Sequence, residues 1–112
     1  MSQLTTHILD TTRGKPAQGV AIILYSQQAE SWQELARGIT NQDGRITDLL
    51  PKDEFLPFGT YKLKFLTQEY FEQQAATTFY PFVEIVFSVQ TQEHYHVPLL
   101  LNPFGYSTYR GS

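Results

Sequence analysis

His94-Tyr95-His96-Val97-Pro98-Leu99-Leu100-Leu101-Asn102-Pro103-Phe104-Gly105-Tyr106-Ser107-Thr108-Tyr109-Arg110-Gly111-Ser112 is the stretch from which the rest of the chain is read. Its first half alternates. Tyr95, Val97, Leu99 and Leu101 share one face, and His94, His96, Pro98 and Leu100 share the other. A period of two belongs to a β-strand. Asn102 to Gly105 has the residues of a tight hairpin, and Tyr106 to Gly111 returns as a last strand. The phase across that turn is not fixed by sequence. Pro98 brings no N–H to a ladder, so the strand should have a free side there. Two of the protein's three histidines lie in this stretch, and Tyr109, Arg110 and Ser112 follow them. That is a dense set of functional groups for the end of a chain, where residues usually fray.

Upstream, the same period recurs. Leu4 to Leu9 reads as a strand with His7 on the face away from Ile8. Val20 to Ser26 is apolar on both faces, which predicts cover on both sides. Trp32 to Thr40 continues as a strand. Asn41-Gln42-Asp43-Gly44 is a hairpin signal with Arg45 the first residue out, leading to a short strand over Ile46 to Leu50. Thr60 to Leu66 alternates, with Tyr61, Leu63 and Phe65 inward and Lys62 and Lys64 outward as plain solvent-face charges. Thr67 to Ala76 is the one convincing helix, with Thr67 as its cap. Phe82 to Val89 is a further strand. Tyr70, Phe71, Phe79, Tyr80 and Phe82 read as core packing and helix docking. Seven or eight short strands with one short helix predict an all-β chain, an antiparallel β-sandwich.

The bulk properties narrow the function. The 112 residues suit a single domain, 1–112, with a core of its own. Hydrophobic residues make up 41% and charged residues 17%, a globular composition. Seven tyrosines and eight phenylalanines favour strands. A net charge of -3 without long runs argues against a nucleic-acid partner. No apolar stretch has membrane-spanning length, so no membrane partner is expected. No cysteine is present to form disulfides or act as a nucleophile. The first residues lack the pattern of a signal peptide, and a cytoplasmic protein is the expectation.

The reactive inventory is short: His7, His94, His96, Arg45, Arg110 and the hydroxyls near Ser112. There is no nucleophile elbow, phosphate loop or His-Glu-x-x-His. His94 and His96 point the same way, a spacing that can hold a metal ion but more often marks a solvated face. Pro98 and Leu100 share the face of His96 and do not favour water, which suggests that a second surface docks there. A histidine at such an interface titrates near neutrality and suits acid/base work. An arginine can clamp a planar, oxygen-rich anion. Residue patterns alone stop at a β-sandwich with a histidine-lined surface.

Several segments together carry a more specific likeness: Thr5-Thr6-His7-Ile8-Leu9-Asp10, Gly14-Lys15-Pro16-Ala17, Asn41-Gln42-Asp43-Gly44-Arg45, Gly59-Thr60-Tyr61-Lys62-Leu63, Phe79-Tyr80-Pro81, the His94 to Leu101 run and Tyr109-Arg110-Gly111-Ser112. Over essentially the whole chain the sequence resembles the 5-hydroxyisourate hydrolases, the transthyretin-related family of urate breakdown. The closing Tyr-Arg-Gly-Ser is the most specific mark. The resemblance implies a transthyretin-like sandwich of two four-stranded sheets, assembled as a homotetramer, a dimer of dimers. It implies hydrolysis of 5-hydroxyisourate to 2-oxo-4-hydroxy-4-carboxy-5-ureidoimidazoline, with no cofactor and no metal. It places the catalytic set on His7, Arg45, His96 and Ser112. Substrate binding falls to His7, Arg45, Tyr109 and Arg110, and His94 is outside the set. The rival reading is a transthyretin-like carrier that binds a small ligand without turnover.

Overall fold

The computed structural model describes residues 2–111. Its strands, in chain order, are β1 (Leu4–Asp10), β2 (Lys15–Pro16), β3 (Ala21–Gln28), β4 (Ser31–Ile39), β5 (Arg45–Ile46), β6 (Gly59–Leu66), β7 (Val83–Val89), β8 (Tyr95–Asn102) and β9 (Gly105–Thr108), with one helix, α1 (Thr67–Glu72), after β6. One sheet has the order β4-β3-β6-β7, all antiparallel. The other has the order β2-β1-β8-β9, with β5 also paired to β1. The expected two-sheet sandwich with a short helix is therefore present. Two details go beyond it. The two-residue strands β2 and β5 make the second sheet five-stranded. Within an otherwise antiparallel fold, β1 and β8 run parallel, from Leu4 opposite Tyr95 to Asp10 opposite Leu101. Most of the chain separates these two strands, so no hairpin turn dictates their sense.

Alternation decides what lies between the sheets. Leu4, Thr6 and Ile8 of β1, Val97, Leu99 and Leu101 of β8, Ile22 and Leu24 of β3, and Tyr61, Leu63 and Phe65 of β6 all point into one core. Leu63 and Leu99 have no exposed surface, and truncating either to Ala should cost about 2–5 kcal/mol. Thr6 is the polar exception in this row, and its hydroxyl donates to the Val97 carbonyl at 2.7 Å.

Several expectations change in detail. On the far side of β3 Ile23 is buried, while Ala21 and Tyr25 are only half-buried. The Lys62 ammonium lies 4.5 Å from the Trp32 ring centre and 5.1 Å from that of Tyr25, and it pairs with Glu84 at 3.1 Å. Only 12% of the Lys62 side chain is exposed, so it is not a plain solvent-face charge; its stem covers apolar surface. The Asn41–Arg45 turn forms but joins strands of different sheets, and the strand expected over Ile46–Leu50 stops at Ile46. Leu49 and Leu50 turn into the core instead. The helix ends at Glu72, four residues early, because Ala75 takes φ +54° and the chain closes on itself. The Ala76 N–H donates to Phe71 O and the Ala75 N–H to Glu72 O, a Schellman arrangement with alanine where glycine is usual. Thr67 is the first helical residue and not the cap; its hydroxyl is buried without a partner. The aromatic group also divides. Tyr70 and Phe71 are buried, while Phe79, Tyr80 and Phe82 are exposed.

Candidate active site

The face of the second sheet turned away from the core carries the candidate residues. Cross-strand partners share a face, so the register reads it directly. His7 of β1 stands between Arg45 of β5 on one side and Pro98 of β8 on the other. One step along, Thr5 stands opposite His96, and His96 opposite Gly111. The two imidazoles stack at 6.0 Å between ring centres with an 18° interplanar angle. The structure thus brings His7, His96 and Arg45 together from three distant parts of the chain.

Local geometry explains how each arrives. Gly44 takes φ +71°, and a Cβ there would sit 2.5 Å from Ile8 O. The turn therefore presses against β1, where the Ile8 N–H donates to Gly44 O at 2.8 Å. Asn41 closes the same turn, its Oδ1 accepting from the N–H groups of Asp43 and Arg45. This sets Arg45 beside His7. At the other edge, β9 pairs up to Thr108, and the chain bridges the backbone of β8 again at Gly111, whose N–H donates to His96 O at 2.8 Å. Pro98 faces the gap between, where its missing donor costs nothing, and its carbonyl accepts from the Thr108 hydroxyl at 2.7 Å. The free side predicted for Pro98 is this gap within a central strand. A Cβ at Gly111 would lie 2.6 Å from His96 Cδ2, so only glycine allows the chain to cross the imidazole so closely.

The remaining candidates lie differently. Tyr109 is exposed beside the gap. Arg110 turns to the opposite side of β8: its guanidinium lies 4.5 Å from the ring centre of core-facing Tyr95 and pairs with Glu93 at 2.7 Å. It lines a cleft together with His96, but its partners are Tyr95 and Glu93 and not the histidines. Ser112 lies outside the described residues. His94 and His96 do stack, at 6.4 Å, but their approaching nitrogens are engaged by one hydroxyl. Thr5 Oγ1 lies 2.9 Å from His94 Nε2 and 2.8 Å from His96 Nδ1. Sequence reasoning did not single out Thr5. Its position two residues before His7, on the same face, was visible; its partner on a parallel strand 91 residues away was not.

Both histidines are half-buried, and this governs their acidity. His7 is held below the ordinary imidazole pKa, first by burial and then by the Arg45 guanidinium. His96 is lowered first by burial, then by His7, Arg45 and His94, with a hydrogen bond to the Thr5 backbone acting the other way. Neutral imidazoles able to accept a proton are the result at neutral pH. An apolar cleft of about 330 Å³ opens beside His96, lined by Phe87, Tyr95, Val97, Thr108 and Tyr109 among others. A larger hollow of about 640 Å³ lies around Arg13, Lys15 and Gln74, away from the histidines, and its lining includes no histidine and no acidic residue.

Such a molecule is a two-sheet sandwich bearing an arginine-flanked pair of neutral histidines on one outer face, the equipment of acid/base chemistry. The profile of the HIUase/Transthyretin family matches residues 4–111, and the chain belongs to that family. The 5-hydroxyisourate hydrolase of Mus musculus is 47% identical over 114 residues, spanning 99% of this chain and 96% of that one. The structure of Klebsiella pneumoniae 5-hydroxyisourate hydrolase matches with a TM-score of 0.86 at 37% identity, covering 97% of this chain and 98% of that one. Sea bream transthyretin in complex with thyroxine matches with a TM-score of 0.90 at 34% identity, covering 97% and 94%. The shared fold does not separate the two activities; the site has to. Among the described residues, no helix is long and apolar enough to cross a membrane.

Proposed function

We propose that this chain hydrolyses 5-hydroxyisourate to 2-oxo-4-hydroxy-4-carboxy-5-ureidoimidazoline, a step of urate degradation in purine catabolism. The observation that carries the proposal is the stacked His7–His96 pair with Arg45 on the neighbouring strand. Near-full-length likeness to proteins named for this activity supports it. A carrier needs a shaped apolar cavity and has no use for two imidazoles of depressed pKa beside a guanidinium.

In the reaction, water adds to a ring carbonyl, the cyclic amide C–N bond breaks, the carbonyl carbon becomes a carboxylate and the nitrogen leaves in the ureido group. Arg45 orients the planar, acidic substrate and stabilises the negative charge that develops on the carbonyl oxygen. One histidine takes the proton of the attacking water, and one returns a proton to the departing nitrogen. His7 and His96 share these tasks. Tyr109 contacts the substrate, and Ser112 orients the water or a histidine. Arg110 reaches the substrate only by leaving Glu93; in its present place it braces the segment that lays Gly111 over His96.

The site lies on an open sheet face whose Pro98 is buried and whose Leu100 is half-buried. A second copy of the chain would close it, and we take the working form to be a homotetramer, a dimer of dimers of one-domain chains. We place it in the cytoplasm; a chain without cysteines offers no disulfide to argue for an oxidising compartment. Hydrolysis in ¹⁸O-labelled water separates the two readings. A hydrolase yields product faster than the blank, with one label in the new carboxylate. A carrier returns intact substrate when it is denatured.

A further inference from the structure

The hydroxyl of Thr5 lies between two imidazoles. It is 2.9 Å from His94 Nε2 and 2.8 Å from His96 Nδ1, and the three groups lie in one row on the face that carries the site. Thr5 itself is buried at 4% exposure, so water competes poorly for these bonds. A hydroxyl has one proton. It donates to one ring nitrogen and accepts from the other, so the tautomers of the two histidines are set together. With Nδ1 of His96 spent on Thr5, its Nε2 is the nitrogen left for a substrate. His94 is exposed, and the Asp53 and Glu54 carboxylates border the hollow it lines. His96 faces His7 and Arg45 on its other side. Positive charge is therefore disfavoured at His96, and His94 stands at the exposed end of the row.

We propose that Thr5 and His94 are positioning residues for His96, joined to it as a proton relay that ends at the protein surface. The imidazole of His96 takes a proton at Nε2. It passes its Nδ1 proton to the Thr5 oxygen, and the Thr5 hydroxyl proton moves to His94 Nε2. The threonine ends as a hydroxyl, His96 is again neutral, and the charge rests on His94 at the exposed end of the row. The row resets by running in reverse: the proton returns through Thr5 to His96 Nδ1, and Nε2 gives its proton up, restoring the starting tautomers. The catalytic consequence rests on the hydrolase reading; the coupling of the two rings does not.

Ring-nitrogen NMR of ¹⁵N-histidine protein, followed against pH, tests the coupling in the full chain, and kinetics on 5-hydroxyisourate tests its consequence. In the wild type, His94 and His96 should share inflections, and His96 should hold one tautomer. Thr5→Val should separate the titrations, average the His96 tautomers and lower kcat about tenfold with KM little changed. Thr5→Ser should restore both signals, which a purely packing role for the threonine would not. Unchanged His96 shifts and full kcat in Thr5→Val overturn the relay. If the wild type shows shared titration but no turnover, the coupling stands and the hydrolase reading falls. If it turns over substrate with independent titrations, the relay falls and the hydrolase reading stands.

Discussion

His7 and His96 owe their place to alternation, and their chemistry to what surrounds them. Replacing either by Asn keeps a hydrogen-bonding side chain of similar polarity but removes the titrating group. Each change should lower kcat/KM at least about a hundredfold while circular dichroism and the melting transition stay close to wild type. The pH profile gives a second check. Both imidazoles have depressed pKa values, so the neutral base persists below pH 6.5 and the acid limb of kcat/KM should fall below that value. Arg45→Met removes one of the depressing charges, so the limb should move up toward the ordinary imidazole value, alongside a loss of rate. The same shifts bear on stability. Between the folded pKa and 6.5 the unfolded chain binds more protons, so stability should drop as pH falls through that window and stay flat above it. At this scale the sequence was informative about residue types. His7, His96 and Arg45 stood out because few other groups could carry acid/base chemistry. Thr5 did not stand out, because a threonine on a strand is ordinary until its neighbours are known. The direction of Arg110 was equally hidden, since it depends on the phase of β9 across the Pro103-Phe104 turn.

At the level of elements, two conformations can be tested by single substitutions. Gly44 combines a left-handed φ with backbone contact at 2.5 Å, so Gly44→Ala should destabilise by about 2 kcal/mol or more and weaken activity by shifting Arg45. Ala75 is the reverse case: it holds φ +54° at the end of α1 where glycine would be unstrained. Ala75→Gly should raise stability by about 1 kcal/mol in urea titration, with no effect on rate. Most strands could be read from the sequence because period two survives wherever one face is buried. The end of α1 could not: Gln73, Gln74 and Ala75 are all adequate helix formers, and the closing hydrogen bonds, not propensity, end it there. The Asp-Gly signal likewise predicted a turn correctly but not which sheet its exit strand would join, because that choice is made by β1, far away in sequence.

For the whole molecule, the two sheets and their single core followed from counting strands, whereas the parallel β1–β8 pairing did not. That pairing is what places residues 7 and 96 side by side, so the site itself was beyond pattern alone. The half-apolar face around Pro98 and Leu100 should be covered by another copy. Analytical ultracentrifugation should show a species of four chains, and charged substitutions at Leu100 should dissociate it with loss of activity. The central claim concerns chemistry, and one assay addresses it most directly. Freshly prepared 5-hydroxyisourate is followed by its ultraviolet absorbance at neutral pH with and without the wild-type protein. The decay should accelerate in proportion to protein concentration, and His96→Asn should return it nearly to the spontaneous rate. A decay that the wild-type protein leaves unchanged would contradict the account.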